Sequence, residues 1–346
     1  MTKVSATVNL KRARLILVAL MILVLFLTAS LGCKAPQAEP SHLKVAVLPY
    51  LSFATFYIAQ EEGYFAEQGL EVEFTKFAGA AQAVPLLAQG SLDVAGSGPS
   101  ASLINAIAQN IKLRIVAGRV STTSDCESVA LMVRRDLYES GEVDTVAEIK
   151  GSKVAVTSVG SPADFLLTKI LESADLTSDD VELIKMSPQV MIAAFENRAI
   201  AGALMASPHI QKIKALGYAV TLQSVNNLMP GFQQSFVLFG PSLLDDNPEL
   251  GKKFMVAYLQ GVRQYAQGKT NRNLEIIEKY IGLDEETLLQ TCWDTIYPDG
   301  RIKVKDFLAF QDWAYDYGFV DKKVATEQLI DTRFIDYANQ VLGSAP

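Results

Sequence analysis

The spacing of apolar and polar residues changes repeatedly along this chain, and each change marks an element. Residues 43–48 (LKVAVL) alternate as a buried strand ended by Pro49. Phe56, Ile58, Ala59 and Phe65 then predict a helix over 56–67, closed before Gly69. Residues 70–74 return to strand spacing, 80–89 read as a helix stopped at Gly90, and 94–96 start a third strand opening into Ser97-Gly98-Pro99-Ser100. Strand, helix, strand, helix, strand with short turns argues for a parallel, doubly wound sheet. Ligands of such sheets sit beyond the carboxyl ends of the strands, where helix N-termini point outward.

The same logic returns further on without sequence repetition. Strands are predicted at 112–118, 128–133, 153–157, 181–185, 202–205, 218–222 and 235–239. Helices follow at 162–174, 189–197 and after Ser207-Pro208. Ser161 suits the N-cap of the first of these, Pro162 its first position and Asp164 its third. Such Ser-Pro starts cap helices well, which is explanation enough for Ser187. Ser161 and Ser207, however, follow strands directly and so face the strand-end crevice. From residue 248 onward the pattern is nearly all helical, with Gly268 and Gly282 as boundaries.

The first 33 residues differ from the rest. Lys11, Arg12 and Arg14 precede an uncharged apolar run over 15–31 that ends Thr28-Ala29-Ser30-Leu31-Gly32-Cys33. That is an export signal. Its small residues before a cysteine resemble the lipobox of bacterial lipoproteins, whose cysteine is lipidated and becomes the mature N-terminus. The usual leucine three places before the cysteine is replaced by Ser30. The alternatives are an uncleaved anchor, since 15–33 is just long enough to cross a bilayer, and an ordinary signal. All three place the body outside the cytoplasm, tethered at the cell membrane or secreted, with residues 34–42 as a tether.

Charge and residue usage narrow the chemistry. The formal charge is −7, and removing the four cations of the first 33 residues leaves −11. An acidic body argues against nucleic acid as a partner. His42 and His209 are the two histidines, and after Cys33 only Cys126 and Cys292 remain. No cluster has metal-site spacing, and a nucleophilic triad would rest on His209 alone. No metal, cofactor or catalytic residue is expected. A disulfide between Cys126 and Cys292 is permitted outside the cytoplasm, but sequence does not show their proximity.

Residues 56–65 (FYIAQEEGYF) with 68–73 (QGLEVE), then 87–95 (LAQGSLDVA) and 150–155 (KGSKVA), carry a family resemblance. The chain resembles solute-binding proteins of ABC transporters with the type II periplasmic-binding fold. More narrowly, it is similar to the group that binds aliphatic sulfonates, nitrate and thiamine pyrimidines. The resemblance covers residues 43–337 and implies an α/β fold of two lobes, each a doubly wound sheet flanked by helices. Lobe 1 would be 43–130 plus 235–346, and lobe 2 would be 131–234. It implies a monomer that closes on a small molecule and docks on a membrane permease powered by a separate ATPase. No phosphate-binding Walker motif is present here.

The strand-end loops supply the candidate ligand-binding residues: Tyr50, Phe53, Thr55, Ser97, Ser100, Arg119, Ser121, Asp125, Ser158, Ser161, Asp164, Asn227 and Gln233. Arg119 is the one cation among these loops, whereas Tyr50, Phe53, Phe56, Tyr57, Phe77, Met229 and Phe232 are numerous. Aromatics stack on flat rings, and hydroxyls and amides orient a neutral heterocycle. Riboflavin, bound by a lipoprotein of the resembling family, fits this inventory best, and a thiamine pyrimidine precursor next. Phe56 and Phe77 are equally at home in a core. The alternative is an anion-binding protein of the sulfonate or nitrate type. A thiamine-pyrimidine synthase is more remote, because those enzymes carry a histidine in the loop corresponding to 50–55 and clustered cysteines. A sensory or scaffold lipoprotein would share the fold and differ in its partner.

Overall fold

The structure, a computed structural model, describes residues 39–76, 82–124 and 126–345. The export signal with Cys33, most of the tether, Phe77 and Asp125 lie outside the described residues. Among those described, no helix is long and apolar enough to cross a membrane.

Two five-stranded sheets organise the body, in the orders β2-β1-β3-β11-β4 and β10-β6-β9-β7-β8. The first contains β1 (Ser41–Val47), β2 (Leu70–Lys76), β3 (Val94–Ser97), β4 (Arg114–Gly118) and β11 (Phe236–Phe239). The second contains β6 (Val129–Arg134), β7 (Lys153–Val156), β8 (Glu182–Lys185), β9 (Gly202–Ala206) and β10 (Ala219–Ser224). A two-stranded ladder joins β5 (Val120–Ser121) to β12 (Thr295–Ile296). The chain therefore passes from the first sheet to the second through 122–128 and returns through 225–235. Val129 and Ala130 already pair with β9 of the second sheet.

The sheets are mixed rather than parallel throughout. β1 runs parallel to β2 and β3, as the alternating pattern predicts. β11 is antiparallel to both β3 and β4, because it enters on the return crossover from the opposite end. In the second sheet β7 is parallel to β8 and β9, while β6 is antiparallel to β9 and β10. The predicted helix over 56–67 is two helices, Ala54–Glu61 and Tyr64–Glu67. Gly63 separates them at φ 77°, a left-handed conformation that glycine adopts without a Cβ penalty. The helical pattern near the end of the chain is likewise divided, into Thr326–Leu329 and Arg333–Leu342.

Helix Ala54–Glu61 is buried from Ala54 to Ala59 because it is covered by helices Pro248–Tyr265 and Asn271–Ile281, with Tyr57 edge-on to Phe74 of β2 at 5.5 Å. Helix Val304–Asp316 packs on Ala101–Ala108 of the first sheet and also on Pro162–Glu172 of the second. Phe165 sits at the centre of that junction, with ring centroids 5.7 Å from Phe232, 5.6 Å from Phe310 and 5.5 Å from Trp313. Cys126 and Cys292 form a disulfide, so the first crossover is tied to the segment before β12. Asn226 ties the two crossovers together: it accepts from the Ser128 amide at 3.1 Å and donates to the Thr123 carbonyl at 3.1 Å and to Asp294 at 3.2 Å.

Candidate functional site

The strand-end loops of the two sheets meet at Gly98 and Pro162. A Cβ on Gly98 would stand 2.9 Å from Pro162 Cγ and 3.1 Å from the Gln234 carbonyl oxygen. Gly98 leads into a helix and Pro162 begins one. Ser100 caps Ala101–Ala108 by accepting from the Leu103 amide at 3.2 Å, and Ser161 caps Pro162–Glu172 by accepting from the Asp164 amide at 3.4 Å. Serine favours both positions because its hydroxyl satisfies a first-turn amide that has no partner within the helix. Two helix N-termini, each carrying partial positive charge, are thereby brought to one place.

Around them, Ser97 donates to the Gly98 carbonyl at 2.9 Å and Ser161 to the Ser158 carbonyl at 2.6 Å. Ser158 is half-buried on the rim, with its hydroxyl turned to the Val159 carbonyl at 3.4 Å. Asp164 is buried and accepts from the Gly160 amide at 2.8 Å. Burial pushes its carboxyl above the usual range, against the pull of that amide. Tyr50 stands half-buried at the head of the turn Leu51–Phe53, where its carbonyl accepts from the Phe53 amide at 2.9 Å.

Other candidates are placed elsewhere. Arg119 is buried beneath the first loop rather than lining the cleft. Its guanidinium carbon lies 4.1 Å from the Phe53 ring centroid and 5.3 Å from that of Phe56, and its Nη2 donates to the Ser52 carbonyl. Phe53 is thus a partner of Arg119, and Phe56 is core. Thr55 is buried in the same region, and among the described residues its hydroxyl has no hydrogen-bond partner of good geometry. The Tyr258 hydroxyl likewise lacks a bond of good geometry, although Thr55 and Arg119 are near enough to influence its titration. Burial raises Tyr258 to about 12 and lowers Arg119 to about 10, which leaves the guanidinium charged near neutrality.

Ser121 is buried in the β5–β12 ladder and bridged to Gln233. Gln233 is a strut: its amide side chain donates to the Arg301 carbonyl at 3.1 Å and accepts from the Lys303 amide at 2.7 Å, while its own backbone N–H donates to Asp306 at 2.8 Å. Asn227 is exposed, and its neighbour Asn226 takes the inward position. With two adjacent asparagines on one turn, nothing in the sequence distinguishes them. Asp294 was not a candidate either. It becomes noticeable only once the fold sets it beside Asn226.

A groove of about 430 Å³ lined by His42, Lys44, Glu71, Glu73 and Asp93 lies at the amino ends of β1–β3. It is at the wrong end of the strands for solute capture in such sheets.

Two mixed sheets with strand-end loops and capped helix N-termini facing one another define a periplasmic solute-binding fold. The sequence profile of the family described as NMT1/THI5 like matches residues 51–268, and the chain belongs to that family. A putative binding protein of Brucella abortus is 28% identical over 234 residues, covering 67% of this chain and 68% of that one. The taurine-binding periplasmic protein of Escherichia coli is 26% identical over 197 residues, covering 56% and 57%. The crystal structure of the aliphatic sulphonate binding protein SsuA from E. coli superposes with a TM-score of 0.68 at 20% identity, covering 85% of this chain and 92% of that one. The fold also extends to an enzyme: the desulfurization enzyme DSZB superposes with a TM-score of 0.63 at 13% identity, over 88% of this chain and all of that one.

Proposed function

We propose that the protein captures a small solute between its two sheets, outside the cytoplasm, and delivers it to the permease of an ABC importer, and that the solute carries an anionic group. The observation behind this reading is the meeting of two capped helix N-termini at Gly98 and Pro162. Backbone amides and aligned peptide dipoles at such ends favour negative charge. The binding proteins for taurine and aliphatic sulphonates among its relatives and structural neighbours support the same class. Asp164 is buried behind this rim and braces it by accepting from the Gly160 amide at 2.8 Å. Lipidation at Cys33 would hold the body at the membrane surface.

A flat heteroaromatic solute, riboflavin first and a thiamine pyrimidine precursor next, rested on the aromatic inventory. Most of those rings are engaged: Phe53 and Phe56 by Arg119, and Phe232 by Phe165. Tyr50 remains. An enzyme reading has the DSZB fold in its favour, but the chain lacks the histidine and clustered cysteines expected of a thiamine-pyrimidine synthase.

A thermal-shift panel of taurine, butanesulfonate, nitrate, a thiamine pyrimidine and riboflavin on residues 40–346 tests the proposal. A ligand bound only by the folded form adds about 2.7 kcal/mol at a hundred times its Kd. A saturable rise with a sulfonate is expected, and a rise with riboflavin alone would overturn the anionic reading.

A further inference from the structure

Arg119 is a single cation in the interior, 1% exposed, and among the described residues no carboxylate forms an ion pair with it. Burying an uncompensated guanidinium is costly, and a site that needed only packing would be filled at lower cost by an apolar side chain. The surroundings are shaped to hold it. Phe53 and Phe56 present ring faces to its guanidinium. Gly96 leaves bare backbone beneath it: a Cβ there would stand 2.7 Å from Arg119 Cζ and 2.8 Å from Phe53 Cε1. Its guanidinium donates 67 residues back along the chain, to the Ser52 carbonyl in the turn Leu51–Phe53.

That turn stands between Tyr50 and the buried helix Ala54–Glu61. Covered by Phe53, Arg119 does not reach the cleft surface and acts on it through the turn, by its bond to Ser52 and its contact with the Phe53 ring. We infer that Arg119 is a positioning residue, fixing the turn Leu51–Phe53 so that Tyr50 is presented at the cleft in one conformation. The inference rests on the reading of that loop as part of the capture site. A charged donor suits the task because a hydrogen bond from an ionised group is stronger and more directional than a neutral one.

Hydrogen exchange of the solute-free protein tests this, so the outcome does not depend on which solute binds. Arg119→Met keeps most of the packing volume and removes the donors, whereas Arg119→Lys keeps charge and donors. In Arg119→Met, amides of residues 50–57 should exchange at least about tenfold faster, with the amides between 153 and 172 unchanged. Arg119→Lys should exchange more slowly than Arg119→Met in the same segment. Wild-type exchange in Arg119→Met, or equal exchange in the Met and Lys variants, would overturn the inference by reducing Arg119 to packing. Should Arg119→Met fail to fold, Arg119→Gln, which removes the charge and shortens the reach to Ser52 without crowding Phe53, takes its place. The same tenfold local increase then supports the inference, and unchanged exchange overturns it.

Discussion

Gly98 and Pro162 are in van der Waals contact across the cleft, one from the loop after β3 and the other from the helix start after β7. The contact exists because Gly98 has no Cβ: an alanine carbon would sit 2.9 Å from the proline ring. A larger side chain is accommodated only if the two sheets separate. Gly98→Val should therefore weaken solute affinity about ten- to a hundred-fold by making the closed arrangement less populated, with little change in the melting temperature of the solute-free protein. Titration alongside small-angle scattering checks this. Unaltered affinity would show that closure does not require the contact.

The disulfide between Cys126 and Cys292 spans 166 residues and pins the first crossover to the segment before β12. Its loss, by reductant or by paired Cys→Ser substitution, should cost about 2–5 kcal/mol of stability. Thermal melts with and without reductant measure it directly. Superimposable melts would mean that the bridge constrains nothing the fold does not already hold.

Asp294 gives a pH dependence with a definite sign. Burial raises its carboxyl above the ordinary 3.8, against the opposing influence of Ser128, Asn226 and the Thr123 backbone. The folded state therefore holds this proton more tightly than the unfolded chain. Its contribution to stability is fully present below the ordinary carboxylate value and is lost as pH rises through the elevated one. Asp294→Asn keeps an acceptor for Asn226 and removes the ionisation. The melting temperature of the variant relative to wild type should thus increase with pH above about 4. A constant difference across pH 4–7 would contradict this.

Gln233→Ala should separate architecture from capture. It strands the Lys303 amide and the Arg301 carbonyl, which the Gln233 side chain now satisfies at 2.7 and 3.1 Å. A loss of about 2–4 kcal/mol is expected, with solute affinity in the surviving folded fraction unchanged. Chemical denaturation with a parallel titration decides it. An affinity loss larger than the stability loss would return Gln233 to the binding surface.

Much of the architecture can be read from the chain because its signals are local. Alternation over 43–48, the Gly90 stop and the Ser161-Pro162 start are settled within a few residues of themselves, and the strands and caps fall there. Strand direction is not local. β11 reads like any other apolar run, and only the return crossover makes it antiparallel. The same limit applies to side chains in loops. Arg119 and Tyr50 both look like cleft residues in sequence, yet strand β4 delivers Arg119 under the loop and leaves Tyr50 on it. Asn226 and Asn227 differ only in which way one short turn faces. Residues whose role depends on a partner more than a hundred positions away, such as Phe165 with Phe310 or Cys126 with Cys292, carry no readable mark at all.

The most direct test is a crystal structure of the protein with whichever sulfonate raises its melting temperature. The anionic group should lie within hydrogen-bonding reach of the first-turn amides of helices Ala101–Ala108 and Pro162–Glu172, beside Gly98 and Ser161. Density for the solute in the groove between His42 and Asp93, or a ring stacked on Tyr50 with no anionic group near the two helix starts, would contradict it.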